Sequence, residues 1–189
     1  KIFNDAGNWT TASNLVTAIQ SCKNAGAKVV NMSLGGSSST ATEQNALASF
    51  YQGGMLLVAA AGNAGNSSLS YPASYSSVMS VAAVDSSRNR AGYSQYNSQV
   101  EIAAPGSSVY STYKNNSYST LSGTSMATPH VTGVAALVWS QFPSCTPARI
   151  RTALTATAQD RGTAGRDVYY GFGIVRAQNA VSYLQTNGC

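Results

Sequence analysis

The chain has 189 residues, 43% of them apolar and only 9% charged, where an average soluble domain carries about 25% charged residues. That length and composition suit one domain with a substantial core and exclude a disordered chain, which combines low hydrophobicity with high net charge. The longest apolar run, Met55 to Ala61, is far shorter than the about 20 residues that span a bilayer, and the +5 net charge is spread over isolated Lys and Arg, not gathered into the stripe of a nucleic-acid binder.

The chain opens on Lys1-Ile2-Phe3-Asn4-Asp5, which lacks the basic and apolar regions of a secretion signal and reads as the end of a strand running into a turn. This predicts a chain that begins inside a domain. Thr11 to Lys23 carries Leu15, Val16 and Ile19 at helical spacing and stops at Asn24-Ala25-Gly26; Lys28 to Leu34 then reads as a buried strand. After the Gly35 to Ser39 loop, a second amphipathic helix is predicted over Thr42 to Tyr51, closed by Gly53-Gly54, followed by a buried strand over Met55 to Ala60. Helix-then-strand units with nearly continuous apolar strands predict a parallel sheet covered on both faces. Further strands are expected at Val78 to Val84, Val100 to Ala103 and Ser108 to Ser111. Ser125 to Gln141 is the most apolar helix, apolar almost all round, and is predicted to be central and buried. Thr146-Pro147 starts another helix, with Pro at its first position, and a short helix over Ala177 to Leu184 follows.

The three cysteines, Cys22, Cys145 and Cys189, are too few for a disulfide scaffold and lack CxxC spacing for zinc. Isolated cysteines in a hydroxyl-rich, low-charge chain suit a secreted, extracellular enzyme. Cys145 and Cys189 both lie at element ends and are expected to pair, which leaves Cys22 free or joined outside the chain.

Four segments carry candidate chemistry. In Gly123-Thr124-Ser125-Met126-Ala127-Thr128-Pro129-His130, Ser125 stands at a helix start, where unpaired N–H groups favour an anion at or beside its oxygen, although serine there is also an ordinary helix cap. Val58-Ala59-Ala60-Ala61-Gly62-Asn63 is a buried strand ending on an amide that can donate to an oxyanion or simply shape a turn. Asn31-Met32-Ser33-Leu34-Gly35-Gly36 is a strand end able to pair with an extended peptide. Tyr71-Pro72-Ala73-Ser74-Tyr75 shows no obvious chemistry.

Together with Val81 to Asp85, Ala103-Ala104-Pro105-Gly106 and Tyr170-Gly171-Phe172-Gly173, and in this order, these segments resemble the C-terminal two-thirds of the catalytic domain of the subtilisin-family serine peptidases of secreted bacterial type. The resemblance covers nearly all of residues 1–189 and implies a three-layer α/β fold, with a mostly parallel central sheet, helices on both faces and the N-terminal strands missing. It implies a serine endopeptidase in which Ser125 is the nucleophile, and Asn63 with the Ser125 N–H forms the oxyanion hole. It assigns Ser33, Leu34 and Gly35 to the strand that pairs with substrate, Ala60, Ala61 and Gly62 to a wall of the pocket for the residue before the cleaved bond, and Ser70 to that pocket's base. A slot with such small walls implies a large apolar residue there and broad tolerance elsewhere. Glu101 and the Val78 carbonyl fall where the family holds a weak calcium or sodium ion; no cofactor is required. The implied partners are polypeptide substrates and the missing N-terminal part of the same domain, in a complete molecule expected to be monomeric and to bind neither nucleic acid nor membrane.

One departure matters. The family's Asp-Thr-Gly and His-Gly-Thr-His segments are not in this chain, and its single histidine, His130, lies five residues after Ser125. On a helix that is about 140° around and about 7.5 Å along, so His130 cannot take the Ser125 proton. An α/β-hydrolase reading fails because the serine lies in Gly-x-Ser-x-Ala and no His follows a later acid. What remains is an endopeptidase whose base lies elsewhere, its isolated chain inactive, or a peptide-binding module without turnover.

Overall fold

The computed structural model describes residues 2–6 and 9–189. Lys1, which opens the predicted strand end, lies outside the described residues; Phe3 bridges to Trp9, and their rings meet edge-on at 5.7 Å. Four parallel strands, β1 (Val29–Met32), β2 (Leu56–Ala60), β3 (Val78–Val84) and β4 (Val100–Pro105), form a sheet in the order β1-β2-β3-β4. Helices α1 (Ala12–Asn24) and α2 (Ala41–Gln52) cover one face; α3 (Thr124–Gln141), α4 (Pro147–Ala156) and α5 (Ala177–Asn187) cover the other.

Local chemistry explains the helix starts. The hydroxyls of Thr11, Thr40 and Thr146 accept from the N–H groups of Asn14, Glu43 and Arg149, satisfying in each case a first-turn donor that the helix itself cannot. Alternation along β2 splits the core: Leu57 and Ala59 meet Leu15, Ile19, Leu47 and Phe50, while Leu56 and Val58 meet Val131, Ala135, Val138 and Leu154. Each of the buried Leu, Ile, Val and Phe side chains among these contributes about 1.5–3 kcal/mol.

Two expectations are corrected. Helix α3 is not buried all round: Pro129, His130, Gly133, Ala136 and Leu137 form an open face, with Leu137 50% exposed. The strand predicted at Ser108 to Ser111 lies outside the central sheet; it is β5 (Val109–Tyr113), paired antiparallel with an unpredicted β6 (Ser117–Leu121). β6 is mostly exposed and carries no apolar signal. Its turn does carry one, since Asn115 and Asn116 take positive φ of 58° and 53°, a conformation Asn tolerates.

Cys145 and Cys189 form the predicted disulfide, which ties the turn after α3 to the end of α5, and Cys22 is free and exposed on α1. The indole N–H of Trp139 donates to the Cys145 carbonyl at 2.9 Å.

Candidate active site

Ser125 is the second residue of α3, whose N-cap, Gly123, offers no side chain. A helix start leaves the first N–H groups without intrahelical acceptors. Three of the four are engaged: Gly123 N–H donates to the Gly106 carbonyl at 2.8 Å, Thr124 N–H donates to Asn63 Oδ1 at 2.8 Å, and the Met126 N–H turns back to the Gly123 carbonyl. The Ser125 N–H remains for a ligand.

Asn63 follows β2 across the glycine turn at Gly62, and Thr124 grips it twice. Its Oδ1 accepts from both the Thr124 N–H and the Thr124 hydroxyl, the latter at 2.9 Å. Because the oxygen is committed, the amide NH₂ must face the other way, toward the space beside Gly123 and Ser125. The Thr124 hydroxyl also accepts from the Gly62 N–H at 3.2 Å. Two donors, Asn63 Nδ2 and Ser125 N–H, therefore converge beside one hydroxyl.

The Ser125 hydroxyl makes only a long 3.4 Å contact with the Ser33 carbonyl, while the Ser33 hydroxyl donates to the Ser125 carbonyl at 2.8 Å. This exchange pins the end of β1 to the start of α3. His130 is turned away, its Nδ1 within 2.8 Å of the Met126 carbonyl.

A cleft of about 610 Å³ opens at Ser125 and Asn63, walled by Leu34, Gly35, Ala60, Gly62 and Ser70. Ala61 packs instead into the core with Ala82 and Val84 and does not line it. A Cβ on Gly35 would lie 2.6 Å from the Ser70 hydroxyl, so these two residues abut in the cleft's wall and any side chain at position 35 would push Ser70 aside. The segment from Tyr71 that appeared silent in sequence builds this wall: Gly36 and Tyr71 exchange backbone hydrogen bonds of 2.9 and 2.8 Å.

A family model of the subtilase family (Peptidase S8) matches residues 1–173. The chain belongs to the subtilase family. It is 42% identical over 184 residues to subtilisin DY of Bacillus licheniformis and 44% identical over 178 residues to thermitase of Thermoactinomyces vulgaris. Those matches cover 95% and 94% of this chain but 66% and 61% of the two relatives, so the chain spans less than two thirds of either. Among solved structures, the psychrophilic subtilisin-like protease Apa1 of Pseudoalteromonas sp. AS-11 superposes with a TM-score of 0.92 at 32% identity, over 100% of this chain and 77% of that one.

Two residues of this subtilase site were missed in the sequence. Thr124 read only as part of the serine motif, yet it orients Asn63. Gln95 packs under Gly62 so closely that any Cβ there would collide with its carboxamide, and Gly62 holds a φ of 110°. Gln95 is held in turn by its own bond to the Ser68 carbonyl at 2.6 Å. Neither carries a local signal, because each acts through residues distant in sequence.

The expected cation position is differently filled. Arg151 Nε and Nη2 donate to the Glu101 carboxylate at 2.6 and 2.5 Å, Nη2 also reaches the Val78 carbonyl at 3.4 Å, and Nη1 donates to the Ser76 carbonyl at 3.0 Å. A guanidinium thus occupies both groups assigned to a metal ion, and the described residues contain no cluster of three metal-ligating side chains. The residues as arranged do not fit a bound calcium or sodium. Burial pushes the Arg151 guanidinium toward losing its proton, but its bond to and the charge of Glu101 outweigh this and hold its pKa above the ordinary value.

Proposed function

We propose that this chain carries the nucleophile, oxyanion hole and substrate cleft of a secreted serine endopeptidase of subtilisin type, completed by an Asp and a His outside its 189 residues. The observation that carries the reading is the double grip of Thr124 on Asn63 Oδ1, which commits the amide NH₂ to the space beside Ser125. Preorganised donors of this kind stabilise charge that develops only in the transition state.

In this reading the Ser125 oxygen adds to the scissile carbonyl as the His takes its proton. The carbonyl oxygen becomes an oxyanion held by Asn63 Nδ2 and the Ser125 N–H. Collapse expels the amine with that proton and leaves an acyl ester on Ser125, which water then hydrolyses. Small residues at Gly35, Ala60 and Gly62, with Leu34 and Leu69 beside them and no acid in this cleft, suit a large apolar residue before the cleaved bond. The uncovered face of α3 and the free edge of β1 offer a place for the segment that brings the base.

The position of His130, hydrogen-bonded to Met126, favours a second reading: a groove that binds polypeptides without cleaving them. Labelling by a serine-directed organophosphonate separates the two. The isolated chain should neither label nor hydrolyse peptides, because an unassisted serine hydroxyl stays protonated. Joining it to a family segment bearing Asp and His should restore both activities, and Ser125→Ala should abolish them. A joined protein that binds peptide but stays silent makes it a binding module.

A further inference from the structure

The carbonyl of Ser125 lacks its helical partner. Inside an α-helix it would accept from the N–H four residues on, and that residue, Pro129, has none. The donor comes from outside the helix instead: the Ser33 hydroxyl, at 2.8 Å. This bond fixes the plane of the Ser125–Met126 peptide, and with it the direction in which the Ser125 side chain leaves the backbone.

A serine hydroxyl has one proton. Ser33 directs it at the Ser125 carbonyl, so any further partner must donate to Ser33 Oγ. Asn31 does so, its Nδ2 lying 2.9 Å away. That orientation turns Asn31 Oδ1 toward α3, where the Thr132 hydroxyl reaches it at 3.1 Å and also lies 3.0 Å from the Thr128 carbonyl. Spacing along both elements permits the match. Asn31 and Ser33 stand two residues apart on an extended segment and share a side. Ser125 and Thr132 stand seven apart on α3, about two turns, and share a face. The result is a polar strap along the seam between β1 and α3. It contributes little to the core, since Asn31 and Ser33 are exposed and Thr132 is half-buried. Nor does Asn31 line the cleft.

We propose that Asn31 is a positioning residue for Ser125. By donating to Ser33 it keeps that hydroxyl on the carbonyl that Pro129 leaves open, and so holds the Ser125 Oγ and N–H in register with Asn63. Thr132 holds the Asn31 amide the right way round. Acting only through Ser33, Asn31 affects the rate of the chemical step and not the binding of substrate, because a reacting atom displaced by about 1 Å can lose about 10²-fold in rate. The proposal rests on the reading of Ser125 as the nucleophile.

The test measures peptide hydrolysis and organophosphonate labelling for the chain joined to a family segment bearing Asp and His. Asn31→Ala should lower kcat about tenfold with KM unchanged. Asn31→Asp, which keeps the shape but has no N–H to offer Ser33, should lose as much. Pro129→Ala restores an N–H for the Ser125 carbonyl, so in that background the helix itself supplies the donor and Asn31→Ala should cost no more than about twofold. A merely structural role would cost the same in either background. Unchanged kcat in Asn31→Ala, a raised KM with kcat unchanged, or an equal loss with and without Pro129 overturns the assignment of Asn31 and leaves the nucleophile reading standing. Should Asn31→Ala not fold, Asn31→Asp carries the same comparison. A joined wild-type protein that neither labels nor hydrolyses peptide overturns the nucleophile reading and this proposal with it.

Discussion

Removing the Cys145–Cys189 disulfide should cost this chain more than any single surface substitution. The bridge closes 44 residues that include α4 and α5. On the chain-entropy relation a loop of that length removes about 13 cal/mol/K from the unfolded ensemble, or about 4 kcal/mol at 25 °C. For a domain of this size each kcal/mol moves Tm by about 2–4 °C, so the expected fall is about 8–16 °C. Cys189 is the perturbation to choose, since it is exposed while Cys145 is buried, and Cys189→Ser leaves no new polar group in the core. Trp139 reports the transition directly through its bond to the Cys145 carbonyl. Urea unfolding followed by fluorescence, for the oxidised chain and for Cys189→Ser, measures the difference. The bonds from Arg149 to the Asn187 and Gly188 carbonyls remain in the variant and hold part of the α5 end in place. Coincident unfolding curves would show that these contacts, and not the covalent bridge, secure the C-terminal helix, and would refute the entropic account.

In the protein joined to its base, Asn63→Ala should lower kcat by about 10²–10³, the loss seen for the corresponding donor in subtilisin. Thr124→Val, which removes one of two bonds to Asn63 Oδ1, should lower kcat by no more than about tenfold with KM unchanged; an equal loss in both variants would mean that the amide has no second support. Glu43 binds its proton more tightly folded than unfolded, so its contribution to stability is fully present below its ordinary value of 4.5 and is lost as pH rises through the raised folded value. Urea midpoints between about pH 4 and about pH 8 should accordingly show Glu43→Gln gaining on the wild-type chain as pH rises, and a wild-type advantage that grew with pH would contradict it. Arg151→Met strands the Glu101 carboxylate, whose side chain is 11% exposed, and should destabilise by about 3 kcal/mol. The double variant with Glu101→Gln should recover part of that loss, and added calcium should not shift the midpoint of the unchanged chain.

Much of the fold is written in short-range chemistry. Thr11, Thr40 and Thr146 cap helices within a residue of where sequence places them, and β2 and β3 are apolar at nearly every position because both faces are covered. Ser125 and Asn63 were legible for a related reason: a helix start and a strand end each impose local backbone geometry, and the surrounding motif is long enough to be specific. The other outcomes depended on what lies opposite in space. All-round apolarity of α3 predicts burial, but only the packing of neighbours decides which face is covered, and Leu137 is left open. Glu101 reads as a cation ligand until Arg151, fifty residues away, arrives on α4 to occupy it. Glu43 stands in the first turn of α2 with nothing nearby in sequence to enclose it, and it is Tyr75, thirty-two residues on, that bonds its carboxylate. Helix caps and strand patterns are decided by residues a few positions apart; the charge partner of a carboxylate, and whether it has one, is decided by chain segments that meet only when the sheet and its two helical layers have closed.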